Sequence, residues 1–263
     1  MENTESIKVK ESSSSNKNKS KYVLEFITEK IFMISAFVAV ISLLLIIGFV
    51  FYKGLMPFAT EGYSFIDFIF GTEWLPSSKE FGIGAMIVTS MVATVGALII
   101  GVPIGILAAI FIAEICPKKY ARVISTAVEL LAGIPSVLYG IFGLAVIVPA
   151  IQTVLSLPKG QSLLAVIIVL SIMMLPTIIS LSETSIRAVP KAYKEGSLAL
   201  GASKIETIFK VTVPAAKSGI LAGVILGIGR ALGETMAVIL VAGNSTAMPT
   251  SLLDSARPLT TNI

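Results

Sequence analysis

Two charged residues in an otherwise apolar stretch hold most of the chemistry this sequence can offer. Arg230 and Glu234 lie four residues apart within Gly229-Arg230-Ala231-Leu232-Gly233-Glu234-Thr235, inside the apolar run from Ile220 to Val241. Each would cost about 2.5–3.5 kcal/mol at the centre of a lipid-facing helix, which argues for an inward placement. On a continuous helix the i, i+4 spacing puts both side chains on one face, where each partly neutralises the other. Two roles fit that arrangement. One is a structural ion pair that fixes helix register. The other is an oxyanion contact in which Arg230 offers its planar fork of donors and Glu234 holds Arg230 while the site is empty. Thr235 would add a neutral donor to such a site.

The rest of the composition says what surrounds the pair. The chain has 263 residues, 55% hydrophobic and 14% charged. With a mean hydropathy of +0.91, it reads as an all-α integral membrane protein. There is no histidine and Cys116 is the single cysteine, so Cys/His zinc sites, His-based triads and intrachain disulfides are excluded. Cys116 reads as a small buried or interfacial residue. No Gly-x-x-x-x-Gly-Lys-Ser/Thr stretch is present, so the chain has no P-loop of its own for ATP. The net charge of +4 is read as basic loops at one membrane face, not as a nucleic-acid surface.

In chain order, residues 1–29 are Ser-, Lys- and Asn-rich and read as a disordered cytoplasmic tail. A first span follows over 30–53; its uncharged core, Ile31 to Phe51, is long enough to cross a bilayer core of ~30 Å. It is too long for a signal-peptide core and reads as retained. Lys53 to Phe81 is an amphipathic connector in which Trp74 and the Phe65–Phe70 stretch suit the headgroup region or a docking surface for an external partner. The second span, Gly82 to Ala113, carries Pro103, an expected kink. Small residues recur in it at Ala93, Ala97, Gly101, Gly105, Ala109 and Ala113, a ridge that admits close helix packing.

A charged loop, Glu114 to Arg122, precedes a segment interrupted at Gly133-Ile134-Pro135-Ser136. Broken membrane helices face protein or a water-filled cavity, because the freed backbone groups need partners. Ser136 and Tyr139 are therefore candidates to line a pathway, with simple packing as the alternative. The fourth span is expected over Ser162 to Leu181, kinked near Pro176, and a charged connector runs from Ser182 to Ser218. Lys and Arg concentrate in the tail, in 118–122 and in 187–217, whereas the opposite face holds Lys53, Lys79, Lys159 and Arg257. The positive-inside bias places the N-terminus in the cytoplasm.

The connector holds a second informative stretch, 190–218. Small and apolar residues from Gly196 to Ala202 suit a short helix that docks into a partner's groove, Gly201 admits a turn and Pro214 breaks the pattern before the next span. Glu195, then Gly201 after Gly196-Ser197 and the triplet Leu198-Ala199-Leu200, and then Val211-Thr212-Val213-Pro214 nine residues on resemble the coupling loop of ATP-binding-cassette importer permeases. Gly196-Ser197 stand where the family pattern has Ala-Ala, and valines replace its Ile and Leu. Phe70-Gly71-Thr72-Glu73-Trp74, Gly133 to Gly140, Gly229 to Val238 and Ala256 to Asn262 extend the resemblance to the phosphate-importer permeases, PstC-type subunit, over roughly 30–263.

The resemblance implies a type I ABC importer transmembrane-domain fold with five spans visible of an expected six, the core over 82–263 lacking the last helix. It implies a permease subunit, not an enzyme, in a bacterial cytoplasmic membrane. Its expected partners are a second, PstA-type permease, two cytoplasmic ATPase subunits holding ATP and Mg, an extracytoplasmic phosphate-binding protein and membrane lipid. No cofactor is implied for this chain itself. Arg230, Glu234, Thr235, Ser136 and Tyr139 would belong to the translocation pathway; Glu195, Gly196, Ser197, Ala199, Leu200, Gly201 and Pro214 would belong to the ATPase-coupling loop. Sulfate and molybdate permeases share the Arg-Ala-Leu-Gly-Glu core and are the nearest alternative. A secondary transporter or channel would explain the charged pair but has no need of the coupling loop.

Overall fold

The computed structural model describes residues 2–60 and 62–262, with side chains described for Tyr22 and from Leu24 onward. The expectation of a disordered tail over 1–29 falls largely on residues whose side chains lie outside that description. Two units divide the chain, one up to Phe65 and one from Ile66. The first unit is essentially one helix, α1 (Glu2–Thr60), whose apolar part Leu24–Thr60 is long enough to cross a membrane.

The unit boundary falls at the start of α2 (Phe65–Phe70), and a two-strand hairpin follows, β1 (Trp74–Leu75) against β2 (Glu80–Phe81), where the Trp74 and Phe81 rings meet edge to face at 5.5 Å. The connector is therefore structured, with Gly71 and Gly82 packed backbone to backbone: a Cβ on Gly82 would lie 2.4 Å from the Gly71 carbonyl carbon.

Helix α3 (Gly84–Ile110) runs unbroken through Pro103 and ends in a π-helical turn, Phe111–Ile115. After Pro117, α4 (Lys118–Ala132) takes up the basic stretch expected as loop. Helix α5 (Ser136–Phe142) follows the Gly133–Pro135 interruption and continues through a second π-turn, Gly143–Ile147, into α6 (Val148–Val154). Helix α7 (Leu163–Arg187) is the axis of the unit. It extends six residues beyond the expected end at Leu181, so Glu183 and Arg187 belong to a helix and not to a connector.

The small-residue ridge does what its spacing suggests. Ala93, Ala97 and Ala109 are at most 2% exposed. Added Cβ atoms on Gly96, Gly101 and Gly105 would lie 2.7–2.8 Å from Ile167, Met174 and Ile178 of α7. Any larger residue would push α3 and α7 apart, which is how such ridges set interhelical distance. Ser171 Oγ reinforces the contact by donating to the Ala97 carbonyl at 3.3 Å. The main core gathers around α7 through Val166, Val169, Met173, Met174 and Ile178, all at most 2% exposed.

Beyond α7 come α8 (Lys191–Ala199), α9 (Lys204–Thr207), a third π-turn Ile208–Thr212, the short α10 (Val213–Ala215), α11 (Lys217–Gly233) and α12 (Met236–Val241). The bend between 204–215 and 217–233 is 69°, at the place where Pro214 was expected to break the chain. Among the described residues, four helices are long and apolar enough to cross a membrane, or five if that bent pair counts as one. The fifth span expected over 220–241 is not one helix, because α11 stops at Gly233 and Glu234 is extended (φ −76°, ψ 128°).

The segment after α12 folds back onto the helix ends. Asp254 and Leu252 carbonyls accept from Leu163 N and Leu164 N at 2.9 and 2.7 Å, and Ser162 Oγ accepts from Ala165 N. These contacts satisfy the amides at the start of α7 that have no partner within the helix.

Candidate functional site

The break between α11 and α12 is where the most informative stretch resides, and it differs from the sequence expectation in one decisive respect. Arg230 and Glu234 do not form an ion pair. Glu234 Oε1 instead accepts from Ala237 N at 3.1 Å, capping the start of α12, where a carboxylate offsets the positive helix end. The Glu234 carbonyl accepts from Thr260 Oγ1 at 2.8 Å, so the C-terminal segment holds the break open. Arg230, half-buried in the last turn of α11, makes no ion pair or hydrogen bond among the described residues. Thr235 is the residue before α12, half-buried, and its carbonyl accepts from Ile239 N.

Tyr139 and Ser136 sit across from this region on α5. Tyr139 is 8% exposed and its hydroxyl donates to the Leu131 carbonyl at 2.8 Å, bridging the interruption between α4 and α5. The phenol is also within electrostatic reach of Arg230. Ser136 opens α5 and is half-buried. Helices α5 and α12 interlock closely: a Cβ on Gly140 would come within 2.7 Å of Ala237 Cα. The structure thus packs α5 at Gly140 against the start of α12 at Ala237, with Arg230 within electrostatic reach of Tyr139. It parts Arg230 from Glu234.

A small recess, with room of about 10 Å³ for the centre of a water molecule, opens beside the break, lined among others by Ser90, Thr94, Leu232, Glu234, Pro258 and Thr260. Its one ionisable lining residue is Glu234, so its electrostatics do not favour an oxyanion. Ser90 Oγ accepts from Leu259 N at 2.8 Å, fastening the C-terminal segment to α3 at the recess rim. Arg257 organises that segment: it donates to Asn244 Oδ1, the Asn244 carbonyl and Asn262 Oδ1 at 2.8, 3.0 and 3.1 Å. Asp254 takes the amides of Thr250 and Ser251 and the Thr250 hydroxyl. Led by the Ser251 amide, these bonds hold its carboxyl below the usual carboxylate range.

The other candidate region is the α8–α10 stretch. No residue of α8 is buried. Glu195, Gly196, Ala199 and Leu200 are exposed, Leu200 to 91%, and a Cβ on Gly196 would meet nothing within 4 Å. Gly201 has φ +89°, a left-handed turn that favours glycine. Ser197 Oγ lies 3.0 Å from Thr207 Oγ1, tying α8 to α9. Ser203 and Glu206 form a reciprocal cap on α9, and Glu206 also pairs with Lys210 at 3.2 Å. The Ser203 amide, its hydroxyl and then Lys210 together lower the Glu206 carboxyl. Pro214 is exposed in α10 at the 69° bend. Helix α8 is thus an exposed helix of mixed polarity, followed by a left-handed turn at Gly201 and the capped α9.

Sequence reasoning did not find a third group of residues. Lys194 Nζ pairs with Glu114 Oε1, joining α8 to the π-turn after α3, and Glu183, Arg187 and Ser125 are joined to one another and to that turn. The i, i+4 spacing of Glu183 and Arg187 was the available signal.

Comparison with known proteins gives a consistent picture. Residues 101–261 match the family model described as "Binding-protein-dependent transport system inner membrane component". The "Probable ABC transporter permease protein YqgH" of Bacillus subtilis (strain 168) is 45% identical over 213 residues, covering 80% of this chain and 69% of that protein. The "Phosphate transport system permease protein PstC" of Mesorhizobium japonicum is 36% identical over 260 residues, covering 90% and 79% respectively. Among solved structures, an inward-facing MetNI methionine ABC transporter aligns at TM-score 0.45 and 23% identity, over 58% of this chain and 68% of that one.

Proposed function

From the premise that the chain belongs to the family of binding-protein-dependent transport system inner membrane components, we propose that it is the PstC-type permease subunit of an ATP-driven importer of inorganic phosphate. The N-terminus is cytoplasmic, as the Lys and Arg bias indicates. Helix α8 docks a separate ATPase that carries ATP and Mg, and a PstA-type permease completes the pathway. An extracytoplasmic binding protein delivers phosphate. The subunit itself breaks no bond; it alternates access as the ATPases close and open.

The observation that carries this reading is Arg230 standing at a helix break with no carboxylate partner among the described residues, while Glu234 is occupied on Ala237 N. A membrane-embedded guanidinium is costly unless something neutralises it, and an oxyanion matches its fork of donors. With no carboxylate on Arg230, phosphate need not displace one on arrival. That suits a weak, transient site, which passage needs more than tight binding. The named phosphate permeases among the relatives support phosphate over sulfate or molybdate.

The test is uptake into vesicles containing the assembled complex. Labelled phosphate should enter only with ATP, and entry should persist when a protonophore collapses the proton gradient. Uptake that follows the proton gradient and ignores ATP would indicate a secondary transporter. ATP-driven uptake of sulfate in preference to phosphate would reassign the substrate.

A further inference from the structure

A chain of polar contacts crosses four elements of the second unit without involving the Arg230 region. Glu183 on α7 is 8% exposed. Ser125 Oγ on α4 lies 2.9 and 3.0 Å from its two carboxylate oxygens. Arg187 Nε, one turn further along α7, donates to Glu183 Oε1 at 2.8 Å. Arg187 Nη2 donates to the Ile112 carbonyl at 3.1 Å. That carbonyl belongs to the π-turn Phe111–Ile115, and two residues on Glu114 accepts from Lys194 Nζ of α8.

The local chemistry explains why Arg187 is needed there. Cys116 N is used by the Phe111 carbonyl, the bond that closes the π-turn, and Pro117 has no N–H to offer. The Ile112 carbonyl is therefore an orphan of the helix end, and Arg187 supplies its donor from another helix. Among the described residues, Lys194 and Ser197 are the two α8 side chains with bonds to other elements, and Lys194 reaches the π-turn after α3. From α7 the contact continues to α11, where Gly223 and Gly227 admit Leu181 and Ile178 at 3.1–3.2 Å from an added Cβ. Helix α11 carries Arg230 in its last turn and ends at Gly233.

We infer that Lys194, Glu114, Arg187 and Glu183 are positioning residues that carry movement of α8 into α7 and α4, and through α7 to α11. The inference rests on the proposed reading of α8 as the ATPase-docking helix. A charged relay suits this task because π-turns recur at functional sites within helices, while ion pairs hold the moving parts in defined partnership. Displacement of α8 pulls on Glu114, shifts the turn whose Ile112 carbonyl Arg187 grips, and so moves α7 relative to α4.

The experiment measures phosphate taken up per ATP hydrolysed in vesicles containing the whole complex, for the wild type, Lys194→Glu, Glu114→Lys and the double exchange. The relay predicts that each single reversal assembles with the ATPase and hydrolyses ATP, yet its phosphate-to-ATP ratio falls about tenfold, a scale typical of coupling between sites. The double exchange restores most of that loss, which loss of fold would not allow. If a reversal fails to assemble, Lys194→Gln and Glu114→Gln take its place with the same expectation of a lowered ratio. Single variants with the wild-type ratio, or a double exchange as defective as the worse single, overturn the relay. Absence of ATP-driven phosphate uptake by the wild type would instead overturn the proposed function, so the two failures are distinguishable.

Discussion

Two Arg–Glu couples share the same spacing in this chain and meet opposite fates. Glu183 and Arg187 close into an ion pair at 2.8 Å; Arg230 and Glu234 stay apart, with Glu234 on a backbone amide. Continuity of the helix decides the difference. Helix α7 runs through both members of the first couple, whereas α11 stops at Gly233, between the members of the second. Order along the chain works in the same direction, since an acid placed N-terminal to a base at i, i+4 suits the helix dipole better than the reverse. The closed couple ties α7 to α4 and to the π-turn after α3, and the open one leaves Arg230 for the oxyanion role proposed above.

The closed couple is expected to show the larger stability effect. Arg187→Gln leaves Glu183 as a largely buried carboxylate with Ser125 alone. Thermal unfolding of the purified subunit should show a loss of about 2 kcal/mol, below the roughly 3–5 kcal/mol of a fully buried pair, because the Arg187 side chain is 45% exposed. Adding Glu183→Gln should recover most of that loss; a double variant as unstable as the single would contradict the pairing. The open couple can be pushed toward closure with Gly233→Ala, which favours helix by about 1 kcal/mol and meets no atom within 4 Å. If the break keeps Arg230 available, the phosphate concentration for half-maximal uptake should rise roughly fivefold, and an unchanged value would show that the break is irrelevant.

Smaller effects test what props the break. Tyr139→Phe removes the hydroxyl that bridges α4 and α5 and should lower stability by about 1 kcal/mol without changing phosphate selectivity, both measured on the same preparation. The C-terminal segment should respond to acid through Asp254. Its carboxyl is held below the ordinary range by the Ser251 and Thr250 amides and the Thr250 hydroxyl, so its stabilisation is present above that range and lost as pH falls through the lowered value. Proteolysis within 250–254 should therefore speed up in acid for the wild type, while Asp254→Asn should show little pH dependence between the two conditions.

Much of this was legible in the sequence because it depends on local pattern. The ridge from Ala93 to Ala109 packs as its four-residue period requires, Gly201 takes the left-handed turn, and the interruption at Gly133–Pro135 breaks a helix as Pro135 demands. The Arg230–Glu234 pairing was misread because i, i+4 proximity presupposes an unbroken helix, and the break is held by Thr260, a residue far along the chain. Charge at Glu183 and Arg187 predicts a connector, whereas Ser125 and the Ile112 carbonyl make those charges tolerable inside the fold and the helix runs on. The Lys194–Glu114 pair joins residues eighty positions apart, and no local pattern announces it.

The most direct test of the account is uptake of labelled phosphate by Arg230→Gln in vesicles containing the complete complex, with ATP hydrolysis followed in parallel. The account predicts that hydrolysis persists, because α8 and its relay are untouched. Phosphate entry should fall by roughly two orders of magnitude, the scale of about 3 kcal/mol for a lost charge-assisted contact. Phosphate uptake within twofold of the wild type would contradict it, and would leave Arg230 a structural residue of the helix break.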